Sequence, residues 1–290
     1  MRLSDKWQDY CLIDTSDGER LERWGDVTLI RPDPQIIWKC SGEAPEWRTA
    51  HAKYNRSSSG GGSWDYRRKL PESWQIKYGE LTFMVKPTGF KHTGLFPEQA
   101  VNWDFAREQI QKAGRPISVL NLFAYTGGAT LAAAAAGAQV THVDAAKGMV
   151  AWAKENATLS GLEDRPIRYI VDDCLKFVKR EQRRGHLYEG IIMDPPSYGR
   201  GTNGEVWKLE DALEELVVEC SKLLNPRAKF FLISSYTTGL SSVVTGNLLE
   251  LYVRSSRGGS IEADNLVIPV EQSHVFLPCG TTARWLGEQA

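Results

Sequence analysis

Asp194-Pro195-Pro196-Ser197-Tyr198 follows directly on the apolar run Gly190-Ile191-Ile192-Met193. A buried strand that ends in a carboxylate and two prolines gives way to a stiff loop, because proline lacks the N–H and fixes φ. No following helix can claim that loop's carbonyls. The Asp194 oxygens and the Pro195 carbonyl accept hydrogen bonds, and Tyr198 is close enough in sequence to stack on a ring. The set suits an amino group on a heteroaromatic base. The competing reading is a strand that stops at a turn, since Asp-Pro is also a turn opener.

A second constellation lies upstream. The run Ile117 to Leu122 leads into Asn121-Leu122-Phe123-Ala124-Tyr125-Thr126-Gly127-Gly128 and then into a helical stretch. Open α/β sheets bind ligands at such a turn, at their carboxyl edge and at a helix N-terminus. Its small residues let backbone approach a ligand, and exposed N–H groups there could receive a carboxylate or phosphate. G-x-G-x-x-G is absent, so a packing role for the glycines stands beside the ligand role. The next strand ends at Asp144, about 20 residues on, the spacing at which an acidic side chain accepts the ribose hydroxyls of an adenosine-containing cofactor. Asp144 could equally cap the helix that Ala145-Ala146-Lys147 opens. The third strand ends in Asp172-Asp173-Cys174, where a carboxylate could accept an adenine amine or cap a helix.

These groups need a sheet to bring them to one edge. From Ile117 onward, strand-like runs (Ile117 to Leu122, Gln139 to Val143, Ile167 to Val171, Gly190 to Met193, Lys229 to Ile233) alternate with helical ones. That alternation predicts a parallel sheet covered on both faces. The helices are Leu131 to Ala136, Lys147 to Leu159, and a stretch carrying Val206, Leu209, Leu213, Leu216, Val217, Cys220 and Leu223 at helical spacing. Leu266 to Val270 and His274 to Leu277 are too close for a crossover helix and predict an antiparallel pair at the sheet edge. The amino-terminal part differs, with six of the ten Trp, the loop Ser57-Ser58-Ser59-Gly60-Gly61-Gly62-Ser63, and the alternating runs Val27 to Ile30 and Leu81 to Val85. It reads as a β-rich module over residues 1–95, its tryptophans more suited to a core than to bases, ahead of an α/β domain over 96–290.

With four successive strands each ending in a candidate ligand group, the chain resembles the class I S-adenosylmethionine-dependent methyltransferases, from about Lys91 to the carboxyl end. Phe90-Lys91-His92-Thr93-Gly94-Leu95-Phe96-Pro97-Glu98-Gln99, the Asn121 to Gly128 segment and Asp194 to Tyr198 together resemble the bacterial enzymes that methylate large-subunit ribosomal RNA. The resemblance implies a Rossmann-like α/β fold and S-adenosyl-L-methionine as cofactor. Phe123, Ala124, Tyr125, Thr126, Gly127 and Gly128 would hold its methionine part, Asp144 with Ala145 its ribose, and Asp173 with neighbouring Cys174 its adenine. Lys91, Thr93 and Gly94 would close the pocket. Asp194, Pro195 and Tyr198 would carry catalysis on RNA. Relatives acting on adenine or cytosine amino groups usually place the aromatic directly after the second proline, where this chain has Ser197. Relatives acting on cytosine C5 have a cysteine after the fifth strand, where it has Ser234-Ser235-Tyr236. No counterpart of the family's amino-terminal RNA-binding module is evident in Met1 to Leu70.

Lys and Arg total 35 against 36 Asp and Glu, so an RNA partner would have to meet a local patch. The candidates are Arg56 with Arg67-Arg68-Lys69, and Lys176, Lys179-Arg180 with Arg183-Arg184, each also readable as a solvated face. The five scattered cysteines, Cys11, Cys40, Cys174, Cys220 and Cys279, form no C-x-x-C pair and read as reduced cytoplasmic thiols rather than zinc or disulfide partners. The histidines show no metal-ligand spacing, and no apolar run reaches membrane-spanning length. Three alternatives share parts of this pattern: a methyltransferase for a small molecule or protein, a nicotinamide oxidoreductase, and a non-catalytic RNA-binding module.

Overall fold

A computed structural model describes residues 1–39, 44–57, 61–200, 206–236 and 240–288, with only the backbone of Arg200. Cys40 and Ser58 to Gly60 of the predicted Ser/Gly loop lie outside the described residues. The chain divides into two compact units, one of residues 1–2, 101–266 and 280–290, the other of residues 3–100 and 267–279.

In the first unit, strands Ser118–Leu122, Gln139–Asp144, Ile167–Val171, Gly190–Met193 and Phe230–Ser235 pair in parallel in the order third, second, first, fourth, fifth. Phe276–Leu286 runs antiparallel to the fifth strand, with Ser260–Pro269 beyond it. Both of the last strands are longer than the two apolar runs that announced them. The inner strands are largely apolar because both faces are covered, whereas the edge strand Ile167–Val171 is half exposed. Leu120, Leu122, Ile191, Met193, Phe231 and Ile233 form one core with helices Cys174–Arg183 and Leu209–Ser221. Val119, Ile192, Phe230 and Leu232 form another with Phe105, Ala106 and Ile110 of helix Ala100–Lys112 and with Ala133 and Ala134 of helix Gly128–Ala135. The helix expected to include Val206 starts only at Leu209, because Val206–Lys208 pairs as a strand with Tyr198–Arg200.

The second unit is β-rich. Tyr10–Ser16, Glu19–Trp24, Val27–Pro32, Ala52–Arg56 and Gly62–Tyr66 form one sheet in chain order, and Trp74–Tyr78 pairs with Leu81–Val85. Asp17 and Gly18 both have positive φ in the two-residue turn between the first two strands, the conformation that an Asp-Gly hairpin requires. Trp24 is fully buried, while the ring N–H groups of Trp7, Trp38, Trp47, Trp64 and Trp74 are spent on acceptors within the unit. These tryptophans are core or half-buried packing.

Candidate active site

The strand order reverses between the first and fourth strands, so the carboxyl ends of Ser118–Leu122 and Gly190–Met193 flank the crevice where such sheets hold ligands. Leu122 is in register with Val143 and with Met193. The turn at Phe123, Asp144 and Asp194 therefore leave the sheet at one level, side by side.

The turn is held in an unusual shape. Phe123 (φ 53°) and Tyr125 (φ 49°) are non-glycine residues in the left-handed region, followed by Gly127 (φ 90°). Its geometry is fixed from within: Phe123 N–H donates to Cys174 Sγ (3.3 Å), Ala124 N–H to the Val143 carbonyl (3.0 Å), Tyr125 N–H to Asp144 Oδ2 (2.9 Å) and Gly127 N–H to the Ala124 carbonyl (3.0 Å). Asn156 Nδ2 donates to the Thr126 carbonyl at 2.9 Å. Those four N–H groups are spent within the protein, as buried backbone donors must be, and are not open to receive a carboxylate or phosphate. The glycines have packing reasons. A Cβ on Gly128 would fall 2.4 Å from the Trp103 ring, and one on Gly127 3.0 Å from Ala153 Cβ.

Asp144 is half-buried, and burial raises its carboxyl above the usual range, although the N–H groups of Ala146 and Tyr125 oppose the shift. Its other oxygen, Oδ1, accepts from Ala146 N–H at 2.8 Å. Each carboxylate oxygen has two lone pairs, so one acceptor site per oxygen remains beyond these two bonds. Ala145 is exposed beside it. On the third strand, Asp173 caps helix Cys174–Arg183 by accepting from Lys176 N–H at 2.8 Å, and its side chain is exposed. Asp172 is ion-paired with Arg180. Cys174 is buried beneath the turn, and burial pushes its thiol far above the ordinary range, with Asp144 and Asp173 adding to the effect.

Beyond the fourth strand, Pro195 is buried, Asp194 half-buried, and Tyr198 about half exposed at 51%. Trp207, which the sequence reading assigned no role, fixes this loop. Its ring N–H donates to the Pro196 carbonyl at 2.6 Å, and its ring lies 5.4 Å from that of Phe123. Leu209 N–H donates to the Ser197 carbonyl at 3.1 Å. Of the two proline carbonyls, that of Pro196 is thus already engaged. His142 is structural: fully buried, bonded through Nδ1 to Thr130 Oγ1 (2.9 Å), and held down at about 3 by burial.

Lys91, Thr93 and Gly94 belong to the other unit. Lys91 is not on a solvated loop. Its Nζ donates to the Pro32 carbonyl at 3.3 Å, and burial pushes it down to about 8, assisted by Arg20, Arg31 and Arg56 against Asp33. Its carbonyl accepts from Arg31 Nη1 at 3.0 Å, and Arg31 forms a fork with Glu22 at 2.6 and 2.7 Å. Thr93 is fully buried and Gly94 has a positive φ of 94°.

Residues 44–229, more than half of the chain, match the S-adenosylmethionine-dependent methyltransferase family. The chain belongs to that family. A crystal structure of the SAM-dependent methyltransferase from Agrobacterium tumefaciens superimposes with a TM-score of 0.94 at 39% identity, covering 99% of this chain and 93% of that one. The protein named ribosomal RNA large subunit methyltransferase K/L from Shewanella oneidensis is 31% identical over 244 residues, 78% of this chain and 31% of that protein. Its namesake from Shewanella frigidimarina is 35% identical over 155 residues, 53% of this chain and 21% of the relative. The chain thus spans a fifth to a third of the length of these curated relatives. The methyltransferase sheet, parallel with an antiparallel strand beside the fifth, is the predicted one, and S-adenosylmethionine is the family's cofactor. The residues of the crevice fit that molecule in kind: Asp144 is a half-buried carboxylate, fixed by two backbone N–H groups, with acceptor capacity to spare of the sort a ribose diol requires.

Proposed function

We propose that this methyltransferase modifies an exocyclic amino nitrogen of a base in large-subunit ribosomal RNA. The observation that carries the proposal is the Asp194 to Tyr198 loop at the switch point of the sheet, one strand away from the Phe123 to Gly128 turn. The ribosomal substrate draws support from the name of the Shewanella oneidensis relative, which is 31% identical over 244 residues.

When bound, S-adenosylmethionine supplies an already activated methyl group. What remains for the protein is alignment and exclusion of water. Asp144 with Ala145 would hold the ribose, Asp173 and Cys174 would border the adenine, and the Phe123 to Gly128 turn would take the methionine part. Asp194 and the Pro195 carbonyl would accept the N–H groups of the target amine, orient its lone pair and stabilise the charge that develops on nitrogen. Tyr198, whose ring is 51% exposed, would stack on the base.

Cytosine C5 chemistry requires a thiolate. Among the described cysteines, burial pushes Cys11 up to about 12, helped by Glu271, and also raises Cys174, Cys220 and Cys279 well above the ordinary thiol range. The fifth strand runs on to Ser235 and is followed by Tyr236, so serines and a tyrosine stand where relatives acting on cytosine C5 have a cysteine. Both observations favour amino nitrogen.

Labelled methyl transfer to RNA from cells lacking the protein, with RNA from wild-type cells as control, tests the substrate. Label in the deletion RNA alone, located on a base amino group by nucleoside mass spectrometry, is the expected result. Label confined to an RNA-free fraction would replace the substrate with a small molecule or protein. Asp194→Ala should lower turnover by two orders of magnitude or more, as loss of a preorganised acceptor does, while S-adenosylhomocysteine still binds.

A further inference from the structure

The second unit carries a surface that the cofactor chemistry does not use. In the hairpin of Ala52–Arg56 and Gly62–Tyr66, the register pairs Ala52 with Tyr66, Tyr54 with Trp64 and Arg56 with Gly62. Side chains alternate along a strand, so Arg56, Trp64 and Tyr66 share one face with the buried Ala52 and Tyr54, Arg56 and Tyr66 emerging at its two ends, while Lys53, Asp65, Asn55 and Ser63 take the other. Trp64 ties this face to a second element, because its ring N–H donates to the Thr88 carbonyl at 2.9 Å. Thr88 in turn closes the turn that presents Phe90, with its hydroxyl bonded to the His92 carbonyl at 2.8 Å and to Phe90 N–H at 3.3 Å. Phe90 is 65% exposed and Tyr66 57% exposed, although large aromatics normally withdraw from water.

The charge of this surface is one-sided. Residues 52–69 contain five Lys and Arg and a single acid, Asp65, which pairs with Arg67 at 3.3 Å. Lys53 pairs with Glu19 at 2.6 Å. Arg56, Arg68 and Lys69 are exposed and form no ion pair among the described residues. Helix Cys174–Arg183, the other basic stretch, is different: Lys179 pairs with Glu215, Arg180 with Asp172, and Arg184 just beyond it with Glu181. Unpaired cations beside exposed aromatics on a fixed β scaffold are the combination that holds single-stranded nucleic acid, with phosphates on the cations and bases on the rings.

We infer that this hairpin face and the Phe90 turn form a docking surface for a single-stranded segment of RNA. Arg56, Arg68 and Lys69 take phosphates, and Tyr66 and Phe90 each stack on a base. The inference rests on the RNA substrate proposed above and adds where the second unit grips it. Affinity contributed this way is sequence-tolerant and depends on salt.

The test is binding of a fluorescent single-stranded RNA to the full chain across a salt series, with S-adenosylhomocysteine affinity and the thermal midpoint measured on the same samples. Removing three phosphate contacts in Arg56→Ala/Arg68→Ala/Lys69→Ala should flatten the log–log salt slope by about 2, at ~0.7 per charge on a single strand. Tyr66→Ala and Phe90→Ala should each weaken binding roughly tenfold with the slope unchanged. Cofactor affinity and thermal midpoint should stay at wild-type values in all three. If the wild type binds RNA and the variants match it in affinity and slope, the docking surface is refuted and the RNA substrate stands. If the wild type binds no RNA at low salt, both fall together.

Discussion

Asp144 Oδ2 accepts the N–H of Tyr125 at 2.9 Å, and Tyr125 sits at φ 49°, where a non-glycine residue needs outside support. The residue expected to bind ribose therefore also shapes the turn expected to hold the methionine part. Asp144→Ala should weaken S-adenosylhomocysteine binding about 10- to 100-fold, the scale of lost charge-assisted hydrogen bonds, and lower the thermal midpoint as well. Calorimetric titration and a melting curve on one preparation check both effects. A midpoint shift with intact affinity would leave Asp144 a purely structural role.

Trp207 bridges the two loops of the crevice by bonding the Pro196 carbonyl and packing on Phe123. Trp207→Phe keeps a ring but loses the donor, and Trp207→Ala loses both. Misplacing reactive groups by about 1 Å costs on the order of 10²-fold, so kcat should fall stepwise through Phe to Ala and reach roughly that loss. Steady-state kinetics with saturating cofactor separate this from a binding defect.

Gly128 faces the Trp103 ring at a distance that admits no Cβ. Gly128→Ala should destabilise the first unit by about 1–3 kcal/mol through overpacking. Trp103→Leu should recover part of that loss in the double variant, giving a non-additive cycle by chemical denaturation.

Glu22 is fully buried, which alone would raise its carboxyl, but Arg20 and Arg31 outweigh burial and hold it at about 2. A lowered acid stabilises the folded state above its ordinary value of 4.5 and loses that contribution as pH falls towards 2. Stability should therefore decline between those two pH values. Glu22→Gln should remove that limb of the profile and cost about 3–5 kcal/mol at neutral pH, because Arg31 would be left buried without its charge partner. Denaturant unfolding from pH 7 to 3 measures both.

The parallel sheet was readable because its inner strands are apolar runs, as in the fully buried Gly190–Met193, and because the half-exposed edge strand Ile167–Val171 keeps apolar residues around Arg168; both have the predicted boundaries. Val206 was misplaced because a three-residue hairpin strand ahead of Leu209 happens to continue the helix's apolar spacing. The extension of the last two strands was hidden by Glu262, Asp264 and Arg284, charged residues with specific partners rather than solvent-facing turns. At the site, the strand-end carboxylates were legible from type and spacing. The inward-turned N–H groups of the Phe123 turn and the engagement of Pro196 by Trp207 depend on contacts across 11 to 51 residues of sequence, which local pattern does not carry.

Asn102 Oδ1 accepts from Thr282 Oγ1 at 3.1 Å and from both Nε and Nη2 of Arg284, at 3.2 and 2.7 Å, 182 residues away, while its Nδ2 donates to Ser234. The other unit likewise needs residues 267–279 to be complete. During synthesis, neither unit can close on its amino-terminal half alone, since the second waits for residues 267–279 and the first for residues 280–286. Helix Ala100–Lys112 has to wait for its buried polar partner while the 182 residues that separate Asn102 from Arg284 are made. A truncation ahead of residue 267 should therefore leave two unfinished folds rather than one finished and one missing.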